Sequence, residues 1–168
     1  METGSVSLVM LFGVFILFTS FLHWLASTEK IEPLTGRRWL HAGTGLLVAF
    51  TPWFIESAAF LFVIAFVFGL GTIAGKILRW PEWLNGNRKQ SWGTLYFCLG
   101  VASALLLTWW PMPSRPWVFQ AAILVMALAD PAASWVGTRY SGSEGKKTLA
   151  GSAAFFVVAM AAITLSLL

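Results

Sequence analysis

The sequence predicts an all-α polytopic membrane helix bundle with about six transmembrane helices, forming a single integral membrane domain over residues 1–168. Hydrophobic residues make up 58% of the chain and charged residues only 11%, whereas soluble domains carry about 25% charged residues. Six apolar segments, most of them close to the roughly 20 residues that a helix needs to cross a bilayer, alternate with short polar connections. Lys and Arg are concentrated in every second connection.

The first predicted span runs from Val6 to Ala26. The preceding residues M-E-T-G-S lack the basic region of a secretory signal peptide, so we interpret this segment as a retained span. The second span, Trp39 to Ile55, is short and contains Pro52. A re-entrant segment is therefore the alternative at that position.

The third predicted span runs from Ala58 to Ile77. Its G-x-x-x-G pattern at Gly71 and Gly75 predicts close packing against another helix. A connection rich in turn-forming residues follows, and the fourth span covers Trp92 to Trp110.

The fifth predicted span, Trp117 to about Thr138, follows the turn P-M-P-S-R-P, and the sixth runs from Leu149 to Leu168. Within the fifth span, Asp130 precedes Pro131. Asp is a favoured N-cap and Pro is favoured at the first helical position. We therefore expect the fifth helix to break at Asp130–Pro131 and to restart there as a half-helix.

The basic residues predict the orientation of the chain. Ten of the eleven Lys and Arg residues fall on the first, third and fifth connections or their flanks, and Arg115 is the exception. The positive-inside rule makes those connections cytoplasmic, so we expect a multi-pass protein of a prokaryotic plasma membrane in contact with anionic lipids. The ten residues are Lys30, Arg37, Arg38, Lys76, Arg79, Arg88, Lys89, Arg139, Lys146 and Lys147.

Asp130 is the first candidate functional residue, because an ionisable group inside a membrane segment is energetically expensive. On a helix, Asp130, Ser134 and Thr138 share one face at i, i+4 and i+8. Ala133 and Gly137 beside them permit close approach of a helix or a ligand. The alternative is a polar face that only hydrogen-bonds neighbouring helices.

The connection after the fifth span is the second candidate. Gly142 and Gly145 predict a turn whose amides could approach an anion. Arg139, Lys146 and Lys147 would suit a phosphate-rich ligand, although the positive-inside rule alone also predicts a basic loop. The spacing is not that of a Walker A loop.

Together these residues indicate phosphoryl or nucleotidyl transfer. Such chemistry needs a carboxylate to hold a divalent metal or accept a proton, and cations to stabilise the transferring group. Mg²⁺ is commonly held by one or two carboxylates together with substrate phosphates, and Asp130 is the candidate metal ligand. His41, at the start of the second span, could contact phosphate or relay a proton. An interfacial histidine reaching water is the alternative.

The motif from Asp130 to Ser152 resembles the CTP-dependent lipid kinases, a family that includes dolichol kinase, phytol kinase and the CTP-dependent diacylglycerol kinase and is distantly related to phosphatidate cytidylyltransferases. The family pattern is approximately D-x-x-A-x-x-x-G-x-x-x-G followed by K-T-x-E-G-S. In this chain the matching residues are Asp130, Ala133, Gly137, Lys147, Thr148, Gly151 and Ser152.

Two earlier patches also resemble this family. R-R-W-L-H-A-G-T-G contains Arg38, His41 and Gly45, and R-K-Q-S-W-G-T-L-Y-F begins at Arg88. The resemblance covers about residues 37–156. The chain departs from the pattern at Ala150, where the family often has Glu, in the displaced glycine at Gly142, and in having one span after the motif.

The resemblance implies a lipid kinase that transfers the γ-phosphoryl group of CTP to a membrane lipid alcohol such as a polyprenol, phytol or diacylglycerol, with Mg²⁺. The alternatives are a cytidylyltransferase acting on a lipid phosphate and a non-catalytic membrane protein or assembly partner. Membrane lipids are expected partners, nucleic acid is not, and a homo-oligomer stays open. The implied catalytic residues are Asp130, His41 and Lys147. The implied substrate- or nucleotide-binding residues are Arg38, Arg88, Ser134, Gly137, Thr138, Arg139, Gly142, Lys146, Thr148, Gly151 and Ser152.

Overall fold

A computed structural model describes residues 2–28, 30–55, 57–77, 93–142 and 146–167, and in these ranges the chain is all-helical without strands. The prediction of an all-α fold is confirmed. Six helices lie within the described ranges. They are α1 (Glu2–Ser27), α2 (Pro33–Ala49), α3 (Ala58–Ile77), α4 (Gly93–Trp109), α5 (Pro116–Ser141) and α6 (Leu149–Ser166).

Two of the described helices, α5 and α6, are long and apolar enough to cross a membrane by length and composition. Shorter apolar helical stretches cover Gly13–Leu22, Ala58–Gly71 and Gly93–Trp109. The number of spans and their orientation stay predictions.

Helix α2 begins at Pro33, six residues before the predicted start at Trp39. Pro33 follows an extended Glu32 at the helix start, where proline is tolerated because the first amides need no intrahelical partner. The polar residues T-G-R-R are thus helical, and Arg38 belongs to a helix rather than to a loop. After Ala49 the chain turns through a short 3₁₀ segment, Thr51–Trp53.

Helix α5 is central to the bundle, because α2, α4 and α6 all pack against it, while α1 packs on α2 and α3 packs on α4. The arrangement of α2 on α5 is antiparallel, as shown by the contacts described below. Phe119 and Ile123 of α5 are fully buried together with Leu105 of α4. The rings of Trp109 and Phe119 lie 5.4 Å apart between centroids and join α4 to α5. This apolar cluster fixes the first half of α5, and the predicted site residues of this helix lie in its second half.

The predicted break of the fifth helix at Asp130–Pro131 is wrong. Ala129 and Asp130 both have right-handed helical dihedral angles, with φ of −72° and −67°, so Asp130 lies inside a continuous helix and does not cap a new one. The irregularity is instead a π-helical turn over Val125–Ala129. A π turn bonds residue i to i+5 and is one of the recognised ways in which a helix accommodates a proline.

Close helix contacts occur at Gly45 and at Gly151. A Cβ atom added at Gly71 would meet nothing within 4 Å, so the predicted helix contact is not formed at that residue. A Cβ added at Gly45 of α2 would collide with Ala127 of α5. At Gly151 of α6 it would lie 3.3 Å from the Cα atom of Gly137 in α5.

We expect Gly45→Ala to destabilise the protein and Gly71→Ala to leave its stability unchanged or slightly raised. Both substitutions gain the same helix propensity, so the difference between them isolates the collision with Ala127. Overpacking of this kind costs about 1–3 kcal/mol. Thermal unfolding of the two variants in detergent measures the difference, and equal midpoints would contradict the contact.

Candidate functional site

The guanidinium group of Arg38 joins α2 to the second half of α5. Its Nε donates a hydrogen bond to the Ser134 hydroxyl at 3.1 Å, and its Nη2 donates to the Ser134 carbonyl at 3.0 Å and to the Thr138 hydroxyl at 2.8 Å. Thr138 Oγ1 in turn donates to the Ser134 carbonyl at 2.7 Å. One arginine fork thus engages two successive turns of α5, at residues 96 and 100 positions away in sequence.

The charge of Arg38 is held entirely by neutral acceptors. Its side chain is half-buried, and none of the described carboxylates forms an ion pair with it. Guanidinium carries five N–H donors, and the three bonds above leave the two on Nη1 unassigned. A half-buried cation without a counter-ion favours an anionic ligand, because the charge is costly to desolvate unless it is paired.

Asp130 lies one helical turn before Ser134 on the same face of α5. Its side chain is exposed, and it forms no hydrogen bond or ion pair with any described residue. The carboxylate is therefore available to a ligand that approaches from outside the contact between α2 and α5. The Arg38 guanidinium contacts α5 at Ser134 and Thr138, and Asp130 lies one turn before Ser134.

The side chains on this face of α5 determine whether the expected Mg²⁺ could be held there. In the described part of the chain, no three His, Cys, Asp or Glu side chains come together. Asp130 is thus the one carboxylate on this face of α5. Mg²⁺ is commonly held by one or two carboxylates together with substrate phosphates. The residues therefore fit Mg²⁺ only as an ion that arrives with a phosphate ligand.

His41 contacts the main chain of α5. Its Nε2 lies 3.0 Å from the Met126 carbonyl oxygen. A carbonyl can only accept, so Nε2 carries the hydrogen in this contact. The imidazole packs edge-on against Phe97, with 4.8 Å between ring centroids. The histidine is half-buried in the helix contact.

The K-T-x-x-G-S segment begins α6 as predicted. Thr148 is the N-cap, and its hydroxyl accepts a hydrogen bond from the Gly151 amide at 3.0 Å. Gly151 is buried, and a Cβ added there would lie 3.0 Å from the Ala133 carbonyl oxygen. Gly137, Thr148 and Gly151 thus form the crossing of α5 and α6. The sequence left helix contact or ligand contact open for Gly137, and its neighbour is α6.

Gly142 ends α5 in the left-handed region, with φ of 65°. Its amide donates to the Thr138 carbonyl at 3.0 Å and so caps the turn that contacts Arg38. Arg139, Lys146 and Lys147 are exposed, and none has a side-chain partner among the described residues. Cations at this end also complement the negative end of the α5 dipole.

The structure brings the predicted residues together in two groups. Arg38, Ser134 and Thr138 form one, and Gly137, Thr148 and Gly151 form the other. The side chains of Asp130, Arg139, Lys146, Lys147 and Ser152 form no hydrogen bond or ion pair with either group within the described ranges. Arg88 and Gly145 lie outside the described residues.

Sequence reasoning missed Met126 of the site and gave no role to Phe97, although Phe97 ends the R-K-Q-S-W-G-T-L-Y-F patch. Both contact His41, one through its carbonyl oxygen and one through its ring. The available signal was Pro131, five residues after Met126, because a proline cannot donate to a carbonyl in the preceding turn.

The chain matches no protein-family model, no curated protein and no solved structure.

Arg38→Lys should destabilise the protein by about 1–3 kcal/mol, because an ammonium group cannot reproduce the planar fork that engages Ser134 and Thr138. Arg115→Lys is the matched control, since Arg115 is exposed and its side chain has no partner in the described chain. Thermal unfolding in detergent compares the two. A loss in the Arg115 variant as large as that in the Arg38 variant would contradict the assigned bonds.

Proposed function

We propose that the protein is an integral membrane lipid kinase that transfers the γ-phosphoryl group of CTP to a membrane lipid alcohol at the cytoplasmic face. One observation carries the proposal. Arg38, from one of the two earlier patches that resemble the CTP-dependent lipid kinases, hydrogen-bonds Ser134 and Thr138, which lie within the Asp130–Ser152 motif. The patch and the motif are far apart in sequence, and a shared site requires that they meet.

A multi-pass membrane location is part of the proposal, with about six spans and the basic connections in the cytoplasm of a prokaryotic cell. The length and composition of α5 and α6 support it. Large apolar side chains exposed on the outer helices also support it, because soluble proteins rarely expose extended apolar surface. Examples with their exposed fractions are Leu17 (72%), Phe66 (57%), Leu107 (74%) and Leu165 (67%).

The proposed chemistry is divided between one carboxylate and several cationic side chains. Asp130 would hold Mg²⁺ or accept the proton of the lipid hydroxyl, since its carboxylate is exposed and unpaired in the described chain. The free Nη1 edge of Arg38, with Arg139, Lys146 and Lys147, would bind the triphosphate. Bound Mg²⁺ would neutralise charge on the transferring phosphoryl group.

The lipid acceptor would approach α5 from the side. Asp130 is exposed directly after the apolar first part of α5, so the tail of the lipid could stay in the apolar phase while its hydroxyl meets the carboxylate. Lateral entry from the membrane would also let the lipid and the nucleotide approach Asp130 from different directions.

The test is an assay of the purified protein with labelled CTP and a panel of polyprenols, phytol and diacylglycerol. We expect phosphorylated lipid with release of CDP, and a loss of roughly 100-fold or more in Asp130→Asn, the scale on which a catalytic acid–base group acts. Glu32→Gln is the matched control, because Glu32 is exposed and its side chain caps no helix.

Other outcomes separate the alternatives. Release of pyrophosphate with a lipid phosphate acceptor would indicate a cytidylyltransferase. The absence of product, together with no thermal stabilisation by CTP and Mg²⁺, would favour a non-catalytic partner protein. Full activity in Asp130→Asn would contradict the assigned role of this residue.

A further inference from the structure

The π turn of α5 leaves one carbonyl without a main-chain donor. In a π turn the carbonyl of residue i accepts from the amide of residue i+5, and for Met126 that residue is Pro131, which has no N–H. Asp130, whose amide would be the donor in an α-helical register, is the residue directly after the π turn, and its amide makes no capping hydrogen bond there. Pro131 therefore creates an orphan acceptor at Met126.

His41 supplies the missing donor. Its Nε2 lies 3.0 Å from the Met126 carbonyl oxygen in a part-buried position, where an unsatisfied carbonyl would be costly. The donor lies 85 residues earlier in the chain, so the sequence of α5 alone does not reveal it.

The neighbours of the turn hold it in this register. A Cβ added at Gly45 of α2 would collide with Ala127, and one added at Gly100 of α4 would lie 2.6 Å from the Met126 sulfur. Phe97 packs on the imidazole of His41. The π turn thus packs against α2 and α6, the Met126 side chain reaches Gly100 of α4, and His41 makes the polar contact.

The consequence concerns Asp130, which directly follows the turn. Helical residues advance by about 100° each, so a change of one residue in the register of the turn would redirect the Asp130 carboxylate by about that angle. Ser134 and Thr138 are held by Arg38, so such a change would be taken up near Asp130.

We propose that His41 is a positioning residue that holds the π turn and thereby the direction of the Asp130 carboxylate, and that it is not the proton relay of the reaction. The catalytic consequence rests on the proposed kinase function, whereas the structural consequence does not. The two parts can therefore be tested separately.

The structural test measures the reactivity of a cysteine at position 130. The background carries Cys98→Ala and Asp130→Cys. In this background the rate of modification by a small water-soluble methanethiosulfonate is measured for three proteins, which have His41, His41→Gln or His41→Leu. Glutamine places an amide N–H near the position of Nε2, whereas leucine removes the donor. We expect a rate within about twofold of the parent for glutamine and a change of roughly tenfold for leucine, the scale of a lost donor to a part-buried carbonyl.

The catalytic test uses the chain with Asp130 intact. If the wild type phosphorylates lipid, His41→Gln should keep most of kcat, and His41→Leu should lose roughly tenfold or more in kcat with little change in the KM for CTP. A glutamine cannot relay a proton near neutral pH, so its activity separates positioning from proton transfer.

Equal labelling rates in all three backgrounds would overturn the proposal, as would a glutamine variant that loses kcat as fully as leucine while labelling normally. If the leucine variant does not fold, a glutamine variant that folds but labels tenfold differently would also overturn it. An inactive wild type with the expected labelling pattern would count against the kinase function alone.

Discussion

The Arg38 guanidinium is the interaction on which the polar half of the bundle depends. It contacts three oxygen atoms on two turns of α5, and one of them also accepts from Thr138. Hydrogen bonds from a charged donor are stronger than neutral ones, and linked bonds polarise one another. Because every acceptor is neutral, the network orients the charge without cancelling it. The unassigned Nη1 edge thus stays a ready donor for an anion.

Helix α5 carries both the apolar core and the candidate site, and the π turn lies between them. Phe119 and Ile123 are fully buried on one side of the turn, whereas Ser134 and Thr138 contact Arg38 on the other. Pro131 would be expensive in an ordinary helix, since it removes a hydrogen bond and clashes with the preceding turn. Here the clash is accommodated by the π turn, and His41 satisfies the carbonyl. The same helix α2 supplies both polar contacts, so its antiparallel packing on α5 is a requirement of the site.

The sequence predicted the elements better than their contacts. The starts of α3 at Ala58 and of α6 at Leu149 agree with the structure, because hydrophobic length and the Thr148 cap are local signals. The start of α2 was placed too late, since hydropathy treats T-G-R-R as a loop although Pro33 marks a helix start. Ser134 and Thr138 were chosen by helical periodicity, and their arginine partner followed only from the fold.

The wrong predictions share one physical origin, because each depended on tertiary contacts that the local sequence does not show. In place of the break expected at Asp130 the helix has a π turn, whose Met126 carbonyl accepts a hydrogen bond from His41, a donor distant in sequence that no local pattern reveals. The G-x-x-x-G pattern is present at Gly71, but the close contact occurs at Gly45, where Ala127 is the neighbour. Small residues permit close approach, yet only the partner helix decides which of them is used.

The most direct test of the central claim is a double-mutant cycle between Arg38 and Thr138. Thermal or denaturant unfolding of the wild type, Arg38→Met, Thr138→Val and the double variant gives their coupling free energy. Residues in one hydrogen-bond network typically couple by about 0.5–3 kcal/mol, and we expect a value near the middle of that range. Additive losses, with no coupling beyond the error of the measurement, would contradict the account.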